Sequence, residues 1–161
     1  MKILAIDPGT TESGCAIIQM PEFRLLWFAK LTNEAVYKSV KIYDFDEVVI
    51  EKVACYGMPV GKDVFETCIW VGRFIEQLQG HDIHFVYRKE EKLHLCGSLQ
   101  AKDANIKQAL VNRYAKHDFK SGKGTKKQPD TFYGVAKDVW QAIAVGVTHY
   151  EKMLLQGRCK K

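Results

Sequence analysis

Three carboxylates stand beside sequence that should be buried. Asp7 ends Ile3-Leu-Ala-Ile6, Glu51 ends Val48-Val-Ile50, and Asp138 precedes the apolar run that starts at Val139. A charge closing a buried run needs a reason. Acids that converge from such positions repel one another, which either raises their pKa values or calls for a cation. Hard oxygen donors without His or Cys select Mg²⁺ or Mn²⁺. Two such ions ~4 Å apart are a common device for phosphodiester hydrolysis. Read alone, Asp7 is also a plain turn aspartate whose oxygen caps a nearby N–H.

The elements that must position these acids follow from the pattern of apolar residues. Ile3–Ile6 reads as a central strand covered on both faces. Asp7-Pro8-Gly9 breaks it, and the chain resumes at Gly14 as a second strand, with Arg24–Leu31 a third. From Asn33, a plausible N-cap, Val36, Val40 and Tyr43 keep helical spacing. Val48–Glu51 is then a strand after a helix, so it should lie parallel to a neighbour by a right-handed crossover. If that neighbour is the first strand, Asp7 and Glu51 emerge together at the carboxyl edge, where open α/β sheets hold ligands. A loop over 52–59 leads to a helix ending near Gln79, with Val64, Cys68, Val71, Ile75 and Leu78 on one stripe; Trp70 and Phe74 read as core. His84–Tyr87 is a fifth strand. A turn near Gly97-Ser98, a helix over 102–116, a flexible-looking basic linker over 120–129 and a closing helix over 133–155 complete the reading.

At 161 residues the chain reads as one domain, 1–161, and carries a net charge of +5. From Arg88 to Gln128 there are eleven Lys or Arg against four acids, a local +7, so the rest of the chain is slightly acidic. Such a block suits a polyanion partner, although charge runs are also ordinary solvated faces. The five cysteines (15, 55, 68, 96 and 159) form no C-x-x-C pair and read mostly as small core hydrophobes, without a disulfide-linked partner. No apolar run has the ~18 residues of a membrane span, and the expectation is an intracellular, cytoplasmic protein.

The order Ile-Asp7-Pro-Gly-Thr, Val-Ile-Glu51-Lys and Asp138-Val-Trp-Gln-Ala-Ile-Ala-Val-Gly-Val-Thr-His149 resembles the RuvC family of Holliday junction resolvases. Its small size and loose match elsewhere look more like phage-encoded members. The resemblance implies a ribonuclease H-like fold, with a five-stranded mixed sheet flanked by helices. It also implies a homodimer and Mg²⁺-dependent nicking of branched DNA, with Mn²⁺ able to substitute and two ions per active site. Asp7, Glu51 and Asp138 match the family's metal-binding acids, and Lys92 and Lys102 fall near its DNA-binding lysines. Where the family's last helix has a second acid, this chain has Gln141, so a second ion would be held more weakly, by that amide or by Asp130. Ala54 and Cys55 stand where an aromatic follows the catalytic acid in the bacterial enzyme, with Tyr56 just beyond as a DNA-contact candidate. Lys123, Lys126 and Lys127 grip DNA or stay solvated.

Two other readings compete. A branched-DNA-binding protein without strong catalysis would explain Gln141. An actin-like ATPase fragment would explain Asp-x-Gly-Thr-Thr, but 161 residues hold only one of the two lobes that such a fold needs.

Overall fold

The structure, a computed structural model, describes residues 1–55, 57 and 59–157. Tyr56 and Cys159 lie outside the described residues. Ile3–Ile6 is the buried centre of strand β1 (Lys2–Asp7), with β2 (Glu12–Gln19) and β3 (Arg24–Thr32) forming an antiparallel meander on one side. On the other side β4 (Glu47–Lys52) and β5 (Asp82–Tyr87) run parallel to it, giving the mixed order β3-β2-β1-β4-β5.

The period of two divides the core. Ile3, Ala5, Ala16, Ile18 and Val49 face helix α5 (Val139–Leu155), while Leu4, Ile6, Ile17, Val48 and Ile50 face the other layer. That second layer is α1 (Asn33–Ser39), continued by a 3-10 turn over 40–42, and α2 (Lys62–Gln77), which buries Phe74 against the sheet. On the α5 side, α4 (Asp103–Tyr114) adds Ile106, Leu110 and Val111. Gly146 lets α5 lie close, since a Cβ there would meet Ile18 Cδ1 at 2.7 Å. Among the described residues no helix is long and apolar enough to cross a membrane.

Several boundaries differ from the pattern reading. Thr32, not Asn33, caps α1, its hydroxyl accepting from the Ala35 N–H at 3.3 Å. Asn33 is buried and used for tertiary bonding: it accepts from the Ser13 hydroxyl at 2.6 Å and donates to the Gly9 carbonyl at 2.9 Å. Those bonds tie the turn after Asp7 to the start of α1. Cys68 is exposed, and of the described cysteines only Cys15 is buried.

The closing helix begins at Val139 rather than near 133, because Gly134 (φ 82°) and Lys137 (φ 49°) take left-handed backbone. Phe132 and Val135 are nonetheless fully buried, which is why their apolar spacing imitated a helix. An additional helix, α3 (Arg88–Cys96), fills the start of the basic block and ends at Gly97 in the left-handed region. Residues 120–129 follow a bonded path in place of a linker. The Asp118 carboxylate accepts from the N–H groups of Lys120, Ser121, Lys123 and Gly124, and Gly124 pairs with Pro129.

Candidate active site

The parallel register pairs Ile6 with Ile50, so Asp7 and Glu51 follow side by side at the carboxyl edge of the sheet. Their side chains are near enough for Glu51 to act on the Asp7 carboxyl. Asp138 arrives by a different route. Asp7 is in register with Gly14, and Gly14 has no side chain where the start of α5 crosses β2. A Cβ there would lie 2.5 Å from the Asp138 carbonyl oxygen. A glycine therefore sets how near the third acid comes to the first.

Burial, chiefly, and then the charge and hydrogen bond of Glu51 push the Asp7 carboxyl up to about 9, with Glu91 and Asp138 adding to the rise. Glu91, on α3, is the member that the sequence reading missed. It is fully buried and also pushed up to about 9, by burial first and the Glu51 charge second, against the pull of Arg88. Its Oε2 accepts from Arg88 Nη1 at 2.8 Å, while its Oε1 has no partner. A buried carboxyl oxygen without a donor, on an acid that like Asp7 resists ionisation, fits an oxygen-ligated divalent cation. Asp7, Glu51, Asp138 and Glu91 are the residues able to hold one. Asp138 is also paired with Lys30 Nζ at 2.7 Å.

Arg88 organises the far side of the site. Its guanidinium donates to Glu91, to the Gln141 amide oxygen and to the Asp103 carboxylate. Desolvation works against its charge, but Glu91, Glu51 and Asp103 outweigh it and raise the pKa further. The Gln141 oxygen, a candidate metal ligand by sequence, is thus engaged by a fixed cation. Asp130, the other substitute acid, is a structural cap. Its oxygens accept from the N–H groups of Lys116, His117, Asp118 and Thr131.

A cleft opens beside Asp138 and Gln141, walled by Lys107, Lys123 and Lys137 together with Trp140. Lys107 Nζ lies 5.1 Å from the Trp140 ring centre. Of the lysines picked from sequence, Lys123 lines this cleft. Lys102 is exposed at the cap of α4, Lys92 is half-buried on α3, and Lys126 and Lys127 are exposed on the loop. Lys107 and Lys137 were not singled out, although Lys137 immediately precedes Asp138 and Lys107 lies one helical turn beyond Asp103. Among the described residues, the cluster whose ligand atoms all lie within 4.8 Å of one another is a different one: Glu47, His84 and His149.

No protein-family model matches the sequence, and no curated protein does. Solved structures do match in shape. RuvC of Thermus thermophilus, in complex with a Holliday junction substrate, superposes with a TM-score of 0.72 at 14% identity, covering 99% of this chain and 98% of that one. A second Thermus thermophilus RuvC structure gives 0.71 at 15% identity, covering 99% of both chains. The fold is RuvC-like, of the ribonuclease H type expected from the sequence.

Proposed function

We propose that the protein is a divalent-metal-dependent endonuclease that nicks four-way junctions and other branched DNA, leaving 5′-phosphate and 3′-hydroxyl ends. One observation carries this reading: Asp7 and Glu51 emerge side by side at the carboxyl edge of a RuvC-like sheet, where Asp7 also feels the charges of Glu91 and Asp138, near a cleft walled by lysines. The neighbour of similar fold was solved on a Holliday junction, which supports the choice of substrate.

Held by Asp7, Glu51, Asp138 and Glu91, Mg²⁺ or Mn²⁺ would supply an activated water and charge stabilisation for the leaving oxygen. The chain's own residues do the rest. Asp7, Glu51 and Asp138 provide the charge that holds the cation. Lys107, Lys123 and Lys137 seat the phosphates of the strand to be cut. Arg88 keeps positive charge beside Glu51 where Gln141 brings none of an acid's negative charge, so a second ion is held more weakly than the first.

The test is a labelled four-way junction, a fork and a linear duplex, each incubated with the protein in Mg²⁺, Mn²⁺ or EDTA. Metal-dependent nicks confined to branched DNA are expected. Junction binding without nicks in either metal would replace the enzyme by a binding protein, and nicking in EDTA would remove the metal from the proposal.

The lysine wall makes a separate prediction. Lys107→Ala combined with Lys123→Ala weakens binding of all DNA forms to a similar degree and lowers the slope of log affinity against log salt by ~1 per lost phosphate contact. Titrations at several salt concentrations read this directly.

A homodimer belongs to the same proposal, because paired strands of a junction must be cut symmetrically. Phe65 (61% exposed) and Ile69 (57% exposed), one turn apart on α2, offer the apolar surface for a second copy. Phe65→Glu with Ile69→Lys should halve the mass seen in sedimentation; a wild-type monomer with and without DNA would contradict the dimer.

A further inference from the structure

Strand β4 carries chemistry at both ends of one face. Glu47, Val49 and Glu51 alternate onto the side covered by α5, so Glu47 lies about 13 Å from Glu51 along the strand. Around Glu47 the structure gathers His84 from β5 and His149 from α5. Glu47 Oε2 is 2.9 Å from His149 Nε2 and 3.8 Å from His84 Nε2, and the two imidazole rings stack with centres 4.4 Å apart. Three ligand atoms on a tetrahedral ion with bonds of ~2.0–2.1 Å stand roughly 3.3 Å apart, and the observed separations bracket that spacing.

We propose that Glu47, His84 and His149 form a second metal site, for Zn²⁺ or a similar borderline transition ion, with its fourth position open to water. The donor set separates it from the carboxylate site: two imidazoles and one carboxylate suit zinc, cobalt or nickel, while all-oxygen ligands suit magnesium. Burial is graded as such a site requires. His149 is 8% exposed and fixed in the core, Glu47 is 21% exposed, and His84 is 40% exposed and faces a cleft through which an ion can enter. Lys152 also lines that cleft, but its ammonium is bonded to Glu90. A bound ion would tie α5 to the paired strands β4 and β5, which it meets here through the His149–Glu47 hydrogen bond and the stacked imidazoles. This site stands whether or not the protein cuts DNA.

The test uses the full chain and Co²⁺ as a spectroscopic probe, with Zn²⁺ as competitor. The expected result is one tetrahedral cobalt per chain, with the intense visible bands of that coordination, displaced by zinc, and a raised melting temperature with either ion. His84→Ala, a change at an accessible ring, should abolish the tetrahedral spectrum while keeping the wild-type circular dichroism, and Glu47→Gln should do the same. Asp7→Asn should keep it. The proposal falls if wild-type protein shows no saturable cobalt binding, if both ligand variants retain the spectrum, or if Asp7→Asn loses it.

Discussion

Asp7→Asn abolishes junction nicking, by about 10³-fold or more, while junction affinity stays the same or rises. The loss corresponds to ~4 kcal/mol of barrier, the order expected when a cation loses the ligand charge that holds it. Affinity is spared because Lys107, Lys123 and Lys137, which seat the phosphates, are untouched. Loss of binding along with cleavage would make Asp7 a structural residue.

The same variant separates repulsion from catalysis through pH. In the folded chain the Asp7 carboxyl keeps its proton up to about 9, whereas its ordinary value is 3.8. Between those values the folded state binds more protons than the unfolded state, so this group's contribution to stability falls as pH rises. Without metal, Asp7→Asn should therefore gain on the wild type from pH 4 to pH 9, reaching about 1–3 kcal/mol at the alkaline end. Mg²⁺ should narrow the gap by stabilising only the wild type. Parallel stability curves for the two proteins would show that no repulsion is stored at Asp7.

Gly14→Ala should cost about 3 kcal/mol and remove nicking together with stability, although residue 14 has no chemistry of its own. The added Cβ would lie 2.5 Å from the Asp138 carbonyl oxygen, 2.7 Å from its carbon and 3.1 Å from the Val139 nitrogen, all backbone atoms that no rotamer change can move aside. To accommodate it, α5 must lift from β2 and carry Asp138 away from Asp7. Gly72→Ala is the control: it lies in α2 with nothing within 4 Å of the new methyl, and should stabilise by about 0.5–1 kcal/mol. Denaturant melts and nicking rates on both variants decide the matter. A Gly14→Ala protein with wild-type stability and activity would mean that the start of α5 is not seated on β2.

The acids at the strand ends were legible because a buried strand announces itself in one dimension. Ile3–Ile6 and Val48–Ile50 are unbroken apolar runs, and parallel pairing brings the residues that follow them to one edge. Asp138 was legible as the acid before an apolar run and through its place in a family-like motif; the helix reading around it began six residues too early, since Phe132 and Val135 are buried outside any helix.

Glu91 and Arg88 were not legible at all. They lie in a stretch so rich in charge that α3 has no broad apolar stripe, and nothing in the local pattern separates the fully buried Glu91 from its half-buried neighbour Glu90. Glu47, His84 and His149 are as far apart in sequence, and each passes singly for an ordinary polar residue. Along the chain, hydrophobic periodicity determined the strands and hence the edge where Asp7 and Glu51 meet. Which charges are desolvated, and which side chains share a volume of a few ångströms, was decided only when α3 and α5 packed against that sheet, because burial and proximity belong to the packed arrangement and not to any single segment.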